Sequence, residues 1–148
     1  MSVVELAPVA VTPAGDVRLE APVGWVVAMG PPAVVHPAGW AGEPPAIVVS
    51  AESDGFAGDD LMLALVGAAL GRLTDPLIVG AWAGRDEVEI VLAHRHRGLD
   101  VTTVERHFGP LGPRGVRWVV AMSVGHDETI GWLPLARRVV GSLSVVSG

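Results

Sequence analysis

The chain of 148 residues contains no lysine, cysteine, tyrosine, asparagine or glutamine, so arginine supplies all 10 of its basic residues. Without cysteine there is neither a thiolate nucleophile nor a disulfide framework. Without lysine there is no Schiff base and no phosphate-binding loop that ends in Gly-Lys-Ser/Thr. The 5 histidines, the carboxylates and the hydroxyls that remain match no nucleophile elbow and no glycine-rich nucleotide motif. The sequence therefore predicts a protein that is not an enzyme and needs no cofactor.

The charge and hydropathy of the chain narrow the range of its partners. The formal net charge of -6 and the pI of about 5.2 argue against nucleic acid. Prolines interrupt the weakly charged stretch 21–42, and the stretch 61–71 is shorter than the roughly 20 residues that a membrane-spanning helix needs. The first residues include Glu5 and no basic residue, unlike a signal peptide. We therefore expect no membrane span and a cytoplasmic location.

Proline and glycine divide the first half of the chain into short extended segments. Pro8 and Pro13 punctuate residues 1–15, which we expect to form an extended N-terminal arm before a single domain at 16–148. A loop rich in proline and glycine is predicted over 30–45. Alternating or β-branched runs predict strands at 16–20, 26–29 and 46–50.

The second half alternates between helical and extended patterns. A helix is predicted over 60–73, where acidic residues offer N-caps. Because its segment LMLALVGAALGRL is apolar almost all round, we expect this helix to be buried on two sides or to lie at an interface. A second helix is predicted from about Pro134, which suits a first turn, to 141. Strands are predicted at 77–82, 87–96, 100–108 and 116–124. Consecutive strands with segregated helices are typical of an α+β fold.

Segments in both halves resemble one known family. Pro22, Gly24 and Trp25 lie near the start, and the strand AIVVSAE precedes the first helix. Downstream come a basic hairpin (HRHRGLDVTTVERHF), a glycine-flanked turn, the strand VRWVVAMSV and the segment GWLPLARRVVGSLSVV. Over residues 16–146 this order resembles the PsbP-like superfamily, whose members include photosystem PsbP, the Ran-binding Mog proteins, DcrB, LpqN and the Eag-type chaperones.

The resemblance carries expectations about fold and function. It implies an antiparallel sheet of about six strands sandwiched by helices, in an α/β/α arrangement. It also implies a non-enzymatic binding, adaptor or chaperone module for a protein partner, because the family shares no catalytic residues. A role associated with secretion and a homodimeric state are further expectations. The chain lacks the lipobox cysteine of the LpqN type, which argues against an envelope lipoprotein.

The residues predicted to bind a partner are apolar or basic. Trp40 lies in the loop rich in proline and is expected to be the most exposed tryptophan, a residue type that often anchors interfaces. Leu61 and Leu65 belong to the apolar helix. Arg95 and Arg97 lie in the basic hairpin, where an acidic partner or a phosphate could bind. Cross-strand pairs with neighbouring carboxylates would explain the same arginines without a partner.

The histidines of the hairpin support a competing hypothesis, a metal-dependent enzyme. Residues two apart on a strand share a face. A two-residue loop that begins at Gly98 would place His94 opposite Thr103 and diagonal to Glu105. His94, His96 and Glu105 could then hold a metal such as zinc with an open coordination position. A solvated hairpin tip explains these residues without a metal.

A third hypothesis is a carrier of an apolar small ligand, held between the sheet and the helix 60–73. The three hypotheses make different demands on the structure. A protein-binding module needs exposed apolar surface, a metalloenzyme needs a complete ligand set, and a carrier needs a cavity beneath the helix.

Overall fold

The computed structural model describes residues 4–52, 58–84, 87–111, 116–125 and 129–145. Side chains are described in the same ranges, apart from those of 58–62, 110–111, 116 and 129–130. The helices and strands of these residues are, in chain order, β1 (Leu6–Ala10), β2 (Val17–Pro22), β3 (Val26–Ala28), β4 (Ala33–His36), β5 (Ala46–Glu52), α1 (Gly58–Arg72), β6 (Thr74–Gly84), β7 (Glu87–His96), β8 (Leu99–Leu111), β9 (Val116–Gly125), α2 (Thr129–Gly141) and β10 (Ser144–Val145).

The strands form two antiparallel sheets. A small sheet has the order β1-β2-β10, and a large sheet has the order β3-β4-β5-β9-β8-β7-β6. The predicted α+β class is confirmed, whereas the predicted number of about six strands is too low, because the described residues form ten. Proline explains part of this error. β4 lies inside the predicted loop 30–45, between Pro32 and Pro37, where proline argued against a strand.

The segment predicted to be an extended arm contains β1. This strand pairs with β2 from Leu6 opposite Pro22 to Ala10 opposite Arg18. It lies at the edge of the small sheet, where Pro8 is tolerated because an edge strand does not need every N–H for its ladder. The segment is thus hydrogen-bonded to the rest of the chain through the small sheet.

The two helices lie on opposite faces of the large sheet. Along β7, Val88, Ile90 and Leu92 pack with Ala69 of α1 in a second core. Val91 points the other way, because side chains alternate along a strand, and belongs to the main core. The main core unites the large sheet with the small sheet and α2, and it includes Leu19, Val35, Ile47, Val120, Met122, Ala136, Val139 and Val140. Helices therefore cover the large sheet from both sides, as the family resemblance implies.

The hairpin between β7 and β8 turns one residue earlier than predicted. His96 pairs with Leu99, so the loop residues are Arg97 and Gly98. Both have positive φ angles, of 52° and 79°. Two positive φ values are the mark of a type I′ turn, whose twist matches that of the flanking strands. The prediction that Gly98 begins the loop is wrong because it assigned the left-handed conformation to glycine alone.

The earlier turn changes which residues face each other across the hairpin. His94 pairs with Val101 rather than with Thr103, so Glu105 is not diagonal to it. β7 and β8 pair without a bulge along their common length. Glu105 and His107 therefore lie on the face of the large sheet that carries α1.

Both helices lie where the sequence predicts them, but not all of their ends match the predicted bounds. α1 is close to the predicted 60–73, whereas α2 begins at Thr129, so that Pro134 lies inside it rather than near its start. In the part of the chain that the structure describes, neither helix is long and apolar enough to cross a bilayer.

Candidate functional site

Helix α1 presents large apolar side chains to solvent. Its inner face packs Leu65, Val66 and Ala69 onto the large sheet. On its outer face Leu63 and Leu70 are 72% and 52% exposed. The sequence predicted burial on two sides or an interface for this helix, and only one side is covered within the described residues. Leu61 belongs to the same helix, and its side chain lies outside the described residues.

Strand β6, at the edge of the large sheet, exposes apolar side chains of its own, and Leu77 and Trp82 pair opposite Ala93 and Glu89 on the sheet face away from α1. Among the described strands β6 pairs with β7 alone, so its outer edge leaves backbone N–H and C=O groups without a partner in these ranges. From Leu77 to Gly84 it carries no charge, and Leu77, Val79 and Trp82 are 63%, 58% and 49% exposed. Edge strands are usually protected by charge, by proline or by brevity. We call the exposed residues of α1 and β6 the apolar flank: Leu63, Leu70, Leu77, Val79 and Trp82.

Trp82 is held in place on β6 by a cation–π contact. The guanidinium carbon of Arg137, on α2, lies 5.0 Å from the centre of the ring. Arg137 Nε also donates to Glu89 Oε1 on β7 at 2.8 Å. Gly80 lies under the indole, where a Cβ would be 2.5 Å from the ring. This arrangement was not predicted from the sequence, because Arg137 lies on α2, far along the chain from Trp82.

Trp40 forms a fixed platform in the loop between β4 and β5. Its ring stacks on His36 with centroids 4.7 Å apart and an interplanar angle of 19°. Its indole Nε1 donates to the backbone oxygen of Glu43 at 2.6 Å. The side chain is 37% exposed, so it combines a restrained position with an open face. Trp82, at 49%, is more exposed, contrary to the expectation for Trp40.

The tip of the β7–β8 hairpin approaches the loop of Trp40. Nη1 of Arg97 lies 3.7 Å from the position that a Cβ would take on Gly42. Leu99, next to the turn, is 50% exposed. The fold thus brings Arg97 against the loop that carries Trp40, although the two residues lie in unrelated segments of the sequence. We call Trp40, Arg97 and Leu99 the hairpin-end surface.

The arginines of the hairpin differ in their partners. Arg95 Nε lies 3.2 Å from Asp100 Oδ1 in an exposed pair, as the cross-strand alternative predicted. Arg106 Nη2 lies 2.9 Å from Glu87 Oε2. Arg97 has no ion-pair partner among the described residues. Arg97 is therefore a cation of the hairpin whose charge is available to a ligand.

A polar chain crosses the sheet face that carries α1. Arg117, which is buried, donates to Nδ1 of the buried His107. Since a guanidinium has no acceptor, Nδ1 must accept, and the ring proton resides on Nε2. That nitrogen lies 2.9 Å from Glu105 Oε1, to which it donates. Arg72 of α1 approaches the other carboxylate oxygen at 3.9 Å.

The surroundings of Glu105 favour its charged form. Burial alone would raise the pKa of this carboxyl. The hydrogen bond from His107 and the positive charge of Arg72 act in the opposite direction, and the pKa of Glu105 lies below its ordinary value. The polar chain is therefore built around an ionised glutamate at neutral pH.

A second polar chain starts at His94. Its Nε2 lies 2.9 Å from Thr103 Oγ1, which in turn lies 2.8 Å from Ser123 Oγ. Burial lowers the pKa of His94, so the ring is neutral at neutral pH. These bonds join β7, β8 and β9 across the sheet.

The predicted metal ligands do not converge. His94 bonds to Thr103, His96 is exposed at the end of β7, and Glu105 bonds to His107. Among the residues that the structure describes, no three histidine or carboxylate side chains are placed to hold a metal ion.

The first polar chain leaves no nitrogen of its histidine open, whereas in the second His94 Nδ1 is buried without a hydrogen-bond partner. Both ring nitrogens of His107 are engaged, so none remains to take a proton from a substrate. Thr103 is only 5% exposed, so its hydroxyl is covered by other side chains. The two polar chains connect neighbouring strands, and the first also connects the sheet to helix α1 through Arg72.

The space predicted to hold a small ligand is filled by side chains. Between α1 and the sheet, Ala69 packs on Val88, Ile90 and Leu92. An open cleft of about 540 Å³ lies elsewhere, where the turn before β4 meets the end of β5 and Trp118.

Comparison with known sequences gives no relative. No protein-family model matches the chain, and no curated protein sequence matches it.

Comparison with solved structures gives several similar folds. The Ran-binding protein Mog1p of Saccharomyces cerevisiae matches with a TM-score of 0.67 and 11% identity, over 98% of this chain and 97% of its own. The cyanobacterial PsbP of Synechocystis matches with a TM-score of 0.62 and 16% identity, over 97% and 94%. LpqN, involved in cell envelope biogenesis of Mycobacterium tuberculosis, matches with a TM-score of 0.56 and 14% identity, over 98% and 92%.

At such identities the likeness concerns the fold alone. The resemblance to the PsbP-like superfamily, which rested on the order of segments, is confirmed at that level. The same fold carries unrelated functions, so the function must be argued from the surfaces of this chain.

Proposed function

We propose that this chain is a non-enzymatic protein-binding module, an adaptor or chaperone that holds a protein partner against the apolar flank. The observation that carries the proposal is the flank itself, in which five large apolar side chains are about half exposed or more. Large exposed apolar areas on a folded protein mark interaction sites. A partner would remove these side chains from water and thereby stabilise the complex.

The open edge of β6 indicates how a partner could bind to this surface. An extended segment of a partner could pair with its free N–H and C=O groups, while the neighbouring side chains supply apolar contacts. The fold neighbour Mog1p is described as a Ran-binding protein, which supports a protein as the class of partner. The partner of this chain is not inferred from that name.

The lack of an enzymatic role is part of the proposal. It is supported by the polar chains, in which both ring nitrogens of His107, Nε2 of His94 and the hydroxyls are engaged within the protein and His94 Nδ1 is buried.

The residues proposed from sequence divide into two groups. Trp40 and Arg97 remain open to a partner, and Leu61 is retained with them. Arg95 is already paired with Asp100, and exposed pairs of this kind contribute little on their own. Leu65 lies on the inner face of α1 and packs on the large sheet. Leu63 and Leu70 therefore replace it as the residues of this helix that would contact a partner.

The further expectations from sequence are retained as proposals: a chaperone role associated with secretion, a cytoplasmic location and a homodimer. In a homodimer, β6 of two copies would pair antiparallel about a two-fold axis in place of a partner segment, which the absence of charge from Leu77 to Gly84 permits. Sedimentation of the wild type and of Val79→Glu tests this state. A dimer that becomes a monomer in the variant supports it, and a monomeric wild type contradicts it.

The binding proposal is tested by capture of the tagged chain from the native lysate. The double variant Leu70→Glu, Val79→Glu should fold but lose a stoichiometric companion, because both substitutions put charge into the flank. Val23→Glu is the matched control, since Val23 is 58% exposed in the turn after β2, outside the flank. Retention of the companion by the double variant would overturn the proposal.

A further inference from the structure

The turn at the hairpin tip places an arginine in an unfavourable backbone conformation. Arg97 has a φ of 52°, in the left-handed region that asparagine and glycine prefer at this position of a type I′ turn. A non-glycine residue held there costs of the order of 1 kcal/mol. Glycine or asparagine would form the same turn more readily. The choice of arginine therefore indicates a use for its side chain.

The charge of Arg97 is unmatched on the hairpin-end surface. Within the described ranges no carboxylate lies within ion-pair distance of it, although the chain as a whole is acidic, with a net charge of -6. Its strand neighbour Arg95 is neutralised by Asp100, and Arg106 by Glu87. A ligand that supplies a negative charge would complement Arg97 where the fold does not.

Trp40 provides an apolar contact in the loop that Arg97 approaches at Gly42. Its stacking on His36 and its bond to the backbone of Glu43 restrain the ring before any ligand binds. Restraint of this kind lowers the entropic cost of binding. Leu99, half exposed next to the turn, adds a second apolar contact. Tryptophan and arginine are the residue types most often found at the energetic centres of protein interfaces.

We propose that the hairpin-end surface binds an acidic peptide segment of a protein partner, in which a carboxylate pairs with Arg97 and an adjacent apolar side chain packs on Trp40 and Leu99. A guanidinium can hold a carboxylate through two parallel hydrogen bonds. Phosphorylated segments are usually recognised by clusters of arginines, and here a single uncommitted arginine stands beside aromatic and aliphatic groups. The arrangement therefore favours a carboxylate next to an apolar residue.

This inference rests on the proposed protein-binding function and names the chemistry of one part of the partner. The hairpin-end surface lies on the loops at one end of the large sheet, whereas the apolar flank is formed by α1 and the edge strand β6. The two surfaces use different residues, so each can be altered without the other.

The test uses the purified full chain and a blocked octapeptide in which two glutamates flank a leucine. A matched peptide carries glutamines in place of the glutamates. Binding is followed by fluorescence polarisation, and the NMR signal of the Trp40 indole N–H, assigned with Trp40→Phe, reports the place of binding. The glutamate peptide should bind saturably and shift that signal, and the glutamine peptide should not.

Variants separate the role of Arg97 from general electrostatics. Arg97→Gln should weaken binding of the glutamate peptide about tenfold, in the range expected for loss of a charge-assisted hydrogen bond. Arg138→Gln, which removes an exposed arginine of α2, should leave the affinity unchanged. Equal loss in both variants, equal binding of the two peptides, or a shift of the Trp40 signal by inorganic phosphate at a comparable affinity would each overturn the inference.

The outcome is distinguishable from failure of the proposed function. Peptide binding is measured without any natural partner and should be unaffected by Leu70→Glu, Val79→Glu. If the flank variant loses its companion and the peptide does not bind, this inference alone fails. If the peptide binds as expected but the flank variant keeps its companion, the role proposed for the flank alone fails.

Discussion

At the residue scale, His94 and His96 show that two histidines of one short sequence pattern can have different environments. Both lie on β7, yet His94 is half-buried and bonded to Thr103, whereas His96 is exposed. Burial lowers the pKa of His94 from its ordinary value of 6.5. Charging this ring is therefore harder in the folded chain than in the unfolded chain.

This difference predicts a loss of stability in mild acid. As the pH falls below about 6.5, the unfolded chain takes up a proton at His94 more readily than the folded chain, so the free energy of unfolding falls. Denaturation by urea at pH 7.5 and pH 5.5 measures the effect. His94→Gln should reduce the difference between the two pH values. An unchanged difference in His94→Gln would contradict the assignment.

Glu105 predicts a second loss of stability at lower pH. Its pKa is depressed in the folded chain, so its contribution is present above the ordinary value of 4.5 and disappears as the pH falls through the folded pKa. Glu105→Gln should therefore lower stability at pH 7 and narrow the gap to the wild type at pH 3. Equal destabilisation at both pH values would contradict this prediction, which urea denaturation also measures.

At the element scale, helix α1 joins a packed face to an apolar outer face. Leu65 contributes to the second core, and Leu63 is mostly exposed although it lies only two positions earlier. Residues two apart on a helix point in different directions, which explains the contrast. The hydrophobic sequence of the helix therefore overstates how much of it the isolated chain buries.

Alanine substitution separates the two faces of α1. Leu65→Ala should lower the free energy of unfolding by about 2 kcal/mol, the low end for a buried leucine, because its side chain is partly buried. Leu63→Ala should change it by less than about 0.5 kcal/mol, as is usual for surface positions. Chemical denaturation of the two variants provides the comparison. Similar losses in both would show that the outer face is also packed.

The elements were more predictable than the contacts between them. Hydrophobic patterning located α1 and the strands of the second half to within a few residues, because local periodicity encodes them. The turn between β7 and β8 was missed by one residue, which shifts their pairing by two, since a non-glycine residue at positive φ is rare and Arg97 gave no local sign of it. The link between Arg117 and His107 depends on strand order, which periodicity does not reveal.

At the scale of the whole molecule, the main core depends on both sheets and on α2. The small sheet covers it through β2, and β1 contributes partly buried Leu6 and Val9. The first strand therefore contributes side chains to the main core. Neighbouring positions of β1 should differ in their tolerance of charge, because Val9 packs on the core and Pro8 is exposed.

Two substitutions in β1 test its contribution. Val9→Asp should destabilise the domain by about 2 kcal/mol, since it removes apolar contact and brings an unpaired carboxylate towards the core. Pro8→Asp should have little effect. Thermal unfolding followed by circular dichroism measures both. If both variants melt like the wild type, β1 adds little to the stability of the domain.

The uncharged stretch of β6 at the edge of the sheet also affects the solubility of the protein in a cell. Molecules made in excess of their partner would associate through their β6 edges. Because this association increases with concentration, it limits the amount of functional protein. Synthesis of this chain would then have to match synthesis of its partner, and excess chains would precipitate or be degraded. Val79→Lys should raise the concentration at which the purified chain stays clear, and turbidity measured against protein concentration would show it.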